Sequence, residues 1–247
     1  MFQNIPHITK NILIINVLMF LATILFENQV HLTQELGVHT LNSPLFEPYQ
    51  IVTYFFMHGN FMHLFFNMFA LVVFGSQLER VWGPKRYFIF YIITAIAAYL
   101  LYGGLGTYEL YLTKQEILNT FQNAQETLLD IDLQIIADAK AGLKREYVNP
   151  LLTDYYRSAA TPMVGASGAI FGLLVGFGML FPNTQLMLLF PPIPIRAKYL
   201  VIGYMAIELY LSFTNGGSSI AHLAHVGGGV AGFIIIKIWQ RSRKNFF

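Results

Sequence analysis

Long runs of apolar residues constrain this chain more than any other feature of its sequence. Six of them are long enough, or nearly so, to cross a bilayer as helices that rise about 1.5 Å per residue. The predicted helices span 11–26, 62–77, 87–105, 163–181, 199–213 and 220–239. Because 55% of all residues are hydrophobic and 11% are charged, an aqueous surface could not solvate such a chain. We predict an all-α polytopic membrane protein with a six-helix bundle.

The first run admits a second interpretation. It is short and follows Lys10, as the apolar region of a cleaved signal peptide would. No small-residue cleavage site follows it, because Phe26, Glu27 and Asn28 come next. A retained helix is therefore favoured, and six helices would place both termini on one side of the membrane.

Basic residues are distributed unevenly between the predicted loops. With a cytoplasmic N-terminus, the inner segments carry Lys10, Arg80, Lys85, Arg86, Arg196, Lys198, Lys237, Arg241, Arg243 and Lys244. The first outer loop, 27–61, has no Lys or Arg, and the last one, near 212–219, has no charged residue. The positive-inside rule thus predicts cytoplasmic termini.

The absence of cysteine and of an organelle-targeting segment favours a bacterial inner membrane. The net charge of +2 gives no reason to expect a nucleic-acid partner.

A long polar segment, 106–160, separates the third run from the fourth. It holds eight acidic and five basic residues, and its apolar positions recur at helical intervals. These positions are Leu110, Ile117, Phe121, Leu128 and Ile135. We predict three parts: 1–105 with helices one to three and the first outer loop, 106–160 as an amphipathic insertion on the outer face, and 161–247 with helices four to six. The insertion is interpreted as a solvated or membrane-surface helical pair, with substrate or partner recognition as the alternative.

Two polar side chains inside apolar runs predict a reactive site. Ser167 lies about four residues after the start of the fourth predicted helix, and His225 lies at a similar distance into the sixth. Both helices enter from the same side, so a hydroxyl and an imidazole are expected at matching depths. A serine becomes a strong nucleophile beside a general base, and histidine is the usual base. Alone, a membrane serine usually bonds back to its own helix, and a membrane histidine is as often a packing residue as a functional one.

Glycine spacing predicts that these two helices touch. Gly168, Gly172 and Gly176 repeat every four residues, and so do Gly228 and Gly232. Small residues at that interval let helix backbones approach closely in lipid. On the second helix, His63 and Asn67 share one face and could donate hydrogen bonds to an oxyanion. The alternative for this pair is a polar clamp between helices.

Together these residues resemble the rhomboid family of intramembrane serine proteases. In that family the nucleophile lies in Gly-x-Ser-Gly on the fourth helix, which matches Gly165, Ser167 and Gly168. An aromatic residue four positions later packs on the catalytic imidazole, and Phe171 fills that position. The resemblance implies an endopeptidase that cleaves transmembrane segments of other membrane proteins near their outer end, without a cofactor or a metal.

The resemblance extends to the sixth and second helices. Ala-His-x-x-Gly-x-x-x-Gly matches Ala224, His225, Gly228 and Gly232, and His-x-x-x-x-His-x-x-x-Asn matches His58, His63 and Asn67. It implies an oxyanion hole formed by His63, Asn67 and the backbone amide of Ser167. It also implies that Glu79 and Arg80 brace the first loop region and the core.

The chain departs from the family in its first outer loop. Many members have Trp-Arg there, whereas Tyr49 and Gln50 stand in this chain, so the sequence does not show what anchors the loop. The insertion 106–160 is also longer than in the simplest members.

A Ser–His dyad is predicted, because the sequence places no buried acid to orient His225. The stacking of Phe171 would supply that orientation instead. Glu208, the one acid in the fifth run, is expected to face a polar cavity or a hydrogen-bond partner. His222 is a less favoured candidate for the base, since the glycine spacing matches His225.

Other functions fit the sequence less well. A catalytically silent relative that binds membrane clients would keep the fold and lose Ser167 or His225, and both are present. A transporter or channel predicts buried charges or broken helices near the middle of the bilayer. A zinc protease would need a His-Glu-x-x-His motif, which is missing.

Overall fold

The computed structural model describes residues 5–187, 193–214 and 219–241, and nearly all of its regular elements are helices. Arg243 and Lys244, used in the topology prediction, lie outside the described residues, as does part of the last outer loop. The helices are α1 His7–Phe26, α2 Leu32–Leu36, α3 Gln50–Thr53, α4 Phe61–Ala70, α5 Ser76–Trp82, α6 Pro84–Thr120, α7 Ala124–Ala141, α8 Pro150–Ala160, α9 Ser167–Leu180, α10 Ala197–Thr214 and α11 Ser219–Arg241. A π-helical turn, Leu71–Gly75, joins α4 to α5, and a 3₁₀ turn, Tyr54–Phe56, follows α3.

Four helical segments in the described part of the chain are long and apolar enough to cross a membrane. They are His7–Phe26, Phe61–Trp82, Pro84–Thr120 and Ala221–Arg241. The helix α9 is apolar but has only 14 residues, and α10 does not meet the same criteria of length and composition. Many large apolar side chains on the outer helices are exposed, as a surface facing lipid requires. Six crossings remain a prediction.

The helix α9 is the centre of the bundle. Ten of its 14 residues are buried, and it packs against α6 and α11. A Cβ atom on Gly228 of α11 would overlap the carbonyl oxygen of Gly168, and one on Gly232 would lie 3.0 Å from the carbonyl oxygen of Gly172. The backbones of α9 and α11 therefore touch at the glycine positions that the sequence predicts.

The third predicted helix is much longer than expected. Instead of ending at residue 105, α6 runs for 37 residues to Thr120, or about 55 Å at 1.5 Å per residue, whereas a bilayer core is about 30 Å thick. Its second half forms a separate apolar cluster with α7 and α8. Of the predicted apolar positions, Leu110, Ile117, Leu128 and Ile135 are buried in this cluster, and Phe121 packs against it. The helical periodicity is confirmed, but the predicted boundary at residue 106 lies inside a continuous helix.

Asp138 links the parts of this second cluster. Its buried carboxylate accepts hydrogen bonds from the side chains of Gln134 on α7, Arg145 in the connecting segment and Tyr156 on α8. Gly142, in the left-handed conformation at φ +67°, ends α7 and lets the chain turn toward Arg145. The hydrogen bonds from Arg145, the largest effect, together with those from Gln134 and Tyr156, lower the pKa of Asp138.

We expect Asp138→Ala to loosen the α7–α8 unit while the membrane bundle stays folded. A carboxyl whose pKa is lowered by folding stabilises the folded state above its ordinary pKa, and that contribution disappears as the pH falls through the lowered value. Hydrogen exchange of 124–160 should therefore speed up several-fold in the variant at neutral pH. The difference from wild type should shrink toward pH 3. Equal exchange at neutral pH would contradict the role given to Asp138.

Glu79 of α5 holds the beginning of α1. Its buried carboxylate accepts the backbone N–H of Ile8 at 3.0 Å, and the N–H and hydroxyl of Thr9 at 2.7 Å each. The first N–H groups of a helix have no partner within it and carry partial positive charge, which an anion compensates. The hydrogen-bond partners of Glu79 are therefore at the start of α1 and not in the first loop region, while its burial agrees with the expected place in the core.

Glu79→Ala is expected to lower the free energy of unfolding by about 2–4 kcal/mol, because hydrogen bonds to a buried charged group are lost together. Unfolding of the purified protein in detergent, followed by circular dichroism, measures this loss. The matched control is Glu116→Ala, because Glu116 is exposed on α6 and should change stability by less than about 0.5 kcal/mol. Equal stability of the two variants would contradict the capping role.

Gln50 anchors the loop between α1 and α4. Its buried side chain accepts the N–H groups of His39 and Glu47 and donates to the carbonyl oxygens of Glu35 and Leu45. One amide thus joins four points of the loop. The loop is also tied to the end of α8, since the Ser43 hydroxyl donates to the Ala159 carbonyl oxygen at 2.7 Å. The sequence did not indicate either anchor.

A short antiparallel hairpin was also not predicted. Strands β1 Gln185–Met187 and β2 Pro194–Arg196 pair between α9 and α10. With three residues each, these strands are too short to give a period-two pattern.

Candidate active site

The hydroxyl of Ser167 and the imidazole of His225 are in hydrogen-bond contact. The distance between Ser167 Oγ and His225 Nε2 is 2.8 Å, within the usual range for such a bond. Ser167 is the first residue of α9, and His225 lies two turns into α11. The close approach of the two helices at Gly168 and Gly228 sets this distance.

Ser167 does not lie inside its helix as predicted. Residues 161–166 are not helical, so α9 begins at Ser167 itself rather than four residues earlier. Consequently the backbone N–H of Ser167 has no partner within α9. This N–H lies at the N-terminal end of α9, and that end carries partial positive charge.

The ring of Phe171 stacks on the ring of His225. Their centroids are 4.6 Å apart and their planes differ by 7°. Phe171 lies one helical turn after Ser167, on the same face of α9. The aromatic position that the resemblance implies is therefore in contact with the imidazole, and its role remains a prediction.

A cavity of about 210 Å³ opens beside Ser167. It is lined by Tyr54, His63, Ala98, Met163, Val164, Gly165, Ser167, Gly168, Ala221, Ala224 and His225. A larger apolar groove between α9, α10 and α11 contains none of the candidate catalytic residues. The cavity at Ser167 is the one that fits the chemistry, because it joins the hydroxyl, the imidazole and a further histidine.

His63 reaches the cavity because residue 165 is glycine. Gly165 has φ +118°, which L side chains rarely adopt, and a Cβ on it would lie 2.6 Å from His63 Nε2. Its backbone N–H donates to the Tyr54 carbonyl oxygen at 3.0 Å. Tyr54, which the sequence did not single out, is in turn fixed by a hydrogen bond from its hydroxyl to the Ala95 carbonyl oxygen at 2.6 Å.

Asn67 and His58 do not line the cavity. The Asn67 amide donates to the His63 carbonyl oxygen at 3.0 Å, and Asn67 is not among the residues that line the cavity. His58 is buried, and its ring contacts the ring of His63 at a centroid distance of 5.0 Å. Of the three residues in the motif around the second helix, only His63 lines the cavity.

An acid does contact His225, and the prediction that none is placed there is wrong. Glu208 Oε2 accepts from His225 Nδ1 at 2.9 Å and from His222 Nδ1 at 2.7 Å. The Glu208 side chain is only 13% exposed. The hydrogen-bond partner that was expected for Glu208 is therefore His225, the candidate base. His222 bonds to Glu208, while His225 is the histidine bonded to Ser167.

The same three side chains could in principle hold a metal. The ligand atoms of Glu208, His222 and His225 lie within 4.8 Å of one another, and carboxylate and imidazole are zinc ligands. The two hydrogen bonds already account for this closeness, so the geometry gives no separate reason to place an ion there.

Comparison with known proteins identifies the class to which this fold and this site belong. The sequence profile of the rhomboid domain matches residues 45–112 and 145–242, about two thirds of the chain. The chain belongs to the rhomboid family, and with its apolar helices it is a multi-pass membrane protein. The match leaves out 113–144, which comprises the end of α6 and all of α7.

Individual relatives come from bacteria and from mitochondria. The chain is 27% identical over 191 residues to the putative rhomboid protease YdcA of Bacillus subtilis, covering 76% of this chain and 66% of that protein. It is 28% identical over 187 residues to the rhomboid protease AarA of Providencia stuartii, covering 72% and 51%. It is 26% identical over 179 residues to the mitochondrial Rhomboid protein 1 of Saccharomyces cerevisiae, covering 72% and 38%. The chain thus spans between 38% and 66% of the length of these relatives.

Proposed function

We propose that this protein is an intramembrane serine endopeptidase in which Ser167 is the nucleophile and His225 is the general base. The observation that carries the proposal is the 2.8 Å contact between Ser167 Oγ and His225 Nε2 beside a cavity. Rhomboid relatives whose names include protease support the reaction class. No cofactor or metal has a part in it.

The reaction follows from the positions of these two groups. His225 Nε2 removes the Ser167 proton as Oγ attacks the carbonyl carbon of the scissile bond. The tetrahedral intermediate collapses when His225 returns that proton to the leaving amine, which leaves an acyl-enzyme. Water then attacks the ester with His225 again as base, and Ser167 is released with a new carboxyl terminus on the substrate.

The negative charge of the tetrahedral intermediate is stabilised by groups on two elements. The Ser167 N–H at the start of α9 and the His63 side chain are the donors supported by the geometry of the cavity. Asn67, which donates to the His63 carbonyl oxygen of its own helix, is proposed as a third donor only because the family resemblance implies it. Such donors typically contribute about 3–4 kcal/mol each to acyl transfer.

Substrate and location follow as further parts of the proposal. The substrates are transmembrane segments of other membrane proteins, which unwind near their outer end to reach Ser167. Both termini face the cytoplasm, six helices cross the membrane, and the helices beyond it at 106–160 form an insertion on the outer face. A bacterial inner membrane is proposed, although mitochondrial relatives also exist.

Cleavage of a designed single-span substrate tests this function. The purified protein is reconstituted in liposomes with fluorescent substrates whose outer end carries Gly and Ala residues, and products are mapped by mass spectrometry. We expect cleavage near the outer end by wild type and none by Ser167→Ala. Cleavage that persists in Ser167→Ala would refute the nucleophile. The absence of cleavage by folded wild type across the substrate set would favour a silent scaffold that binds membrane clients.

A further inference from the structure

Beyond Ser167 and His225, we propose that Glu208 is a positioning residue that fixes the direction and the tautomer of His225, with His222 holding the Glu208 carboxylate in place. The inference rests on the proposed function. It extends the predicted dyad to a Ser–His–Glu arrangement in which the acid comes from α10 and the base from α11.

The first argument is the direction of the ring. Stacking on Phe171 restrains the plane of the imidazole, but it leaves the ring free to turn within that plane. Two in-plane bonds remove this freedom: Nε2 to Ser167 Oγ at 2.8 Å and Nδ1 to Glu208 Oε2 at 2.9 Å. Phe171 and Glu208 therefore restrain different motions of the same ring, and stacking alone does not determine its orientation.

The second argument is the position of the proton. A neutral imidazole has one N–H, and His225 accepts the Ser167 proton only when Nε2 is unprotonated. The proton must then be on Nδ1 and needs an acceptor in an apolar surrounding. A carboxylate is acceptor-only, so Glu208 selects this tautomer. When Ser167 gives up its proton, the same carboxylate faces an imidazolium and stabilises its charge without taking the proton.

The third argument explains His222. A carboxylate in an apolar helix is costly unless hydrogen bonds compensate it. His222 Nδ1 donates to the same oxygen, Oε2, as His225 Nδ1 does. A half-buried His222 side chain, one helical turn before His225, thus supplies a second donor from the same helix. This donor keeps the carboxylate directed at α11, and its removal should affect the reaction less than removal of the acceptor.

Steady-state kinetics test the inference in the reconstituted full-length protein. In Glu208→Gln the amide can donate to Nδ1 and so favours the wrong tautomer. We expect kcat to fall by up to about 10⁴-fold, the loss that the acid-to-amide change causes in the Ser-His-Asp triad. KM should stay near wild type, because Glu208 does not line the cavity.

Glu208→Asp should recover part of kcat, and His222→Ala should lose less kcat than Glu208→Gln does. The matched control Glu116→Gln, at an exposed site on α6, should be unchanged.

Solid-state NMR of histidine labelled with ¹⁵N gives a readout that does not depend on turnover. His225 is assigned by difference from His225→Asn. We expect Nδ1 to carry the proton in wild type and Nε2 to carry it in Glu208→Gln at the same thermal stability. Wild-type kcat in Glu208→Gln, or an Nε2-protonated His225 in wild type, would overturn the inference. If wild type cleaves nothing, the proposed function fails, and the tautomer measurement still decides whether Glu208 positions His225.

Discussion

His225→Ala is expected to lower kcat by about 10⁴- to 10⁶-fold without unfolding the protein. The substitution removes the group that accepts the Ser167 proton and later protonates the leaving amine. It also deletes the stacking partner of Phe171 and one donor to Glu208. Initial rates of substrate cleavage in liposomes, with the melting temperature measured on the same preparation, separate loss of chemistry from loss of fold.

The double variant Ser167→Ala/His225→Ala tests whether the two residues act together in one proton transfer. Residues that act as one unit are strongly non-additive, so the double variant should be no slower than either single variant. A further large loss in the double variant would mean that the two residues contribute independently. That result would contradict a shared proton transfer between Ser167 and His225.

Gly228→Val is expected to lower the free energy of unfolding by about 2–3 kcal/mol and to lower kcat on the order of 10²-fold. Any Cβ at this position meets the backbone of Gly168, which cannot move aside as a flexible side chain would. The helices α9 and α11 must then separate, and they carry Ser167 and His225. Because both side chains move apart, activity should fall even in the fraction of protein that remains folded.

The matched control is Gly104→Val. Gly104 is a helical glycine on α6, and a Cβ there would meet no atom within 4 Å. It should keep wild-type activity and stability to within about 0.5 kcal/mol. Equal effects of the two valines would indicate that the loss comes from the change of helix propensity rather than from separation of α9 and α11.

Most helices could be predicted because a helix that crosses a bilayer must be long and apolar. Such segments appear in the sequence as runs of apolar residues. The prediction of helix boundaries failed where the chain no longer has to be apolar. The segment after residue 105 is polar enough for water, so nothing in its hydropathy indicated that α6 continues to Thr120. The start of α9 at Ser167 was missed for a related reason, since the residues before it are apolar without being helical.

The candidate site was predicted where motifs are local and missed where contacts are long-range. Ser167 and the glycines follow from positions and spacing within single helices, and Phe171 follows from the family resemblance. The contact of Glu208 with His225 depends on how α10 is rotated against α11, which spacing within either helix does not determine. A signal was nonetheless present: an acid in an apolar run followed by two histidines three positions apart, His222 and His225, which lie on one helical face. Gln50 gave no comparable signal, because its four partners are spread over residues 35–47 of the loop.

Labelling with a fluorescent fluorophosphonate tests most directly whether Ser167 is an activated nucleophile, and it requires no known substrate. The detergent-solubilised wild type would be compared with Ser167→Ala and His225→Ala, each checked for folding by circular dichroism. We expect wild type to be labelled at Ser167, as located by peptide mass spectrometry, and both variants to remain unlabelled. A folded wild type that does not react, or labelling that persists in Ser167→Ala, would contradict the assignment of Ser167 and His225 as the reacting pair.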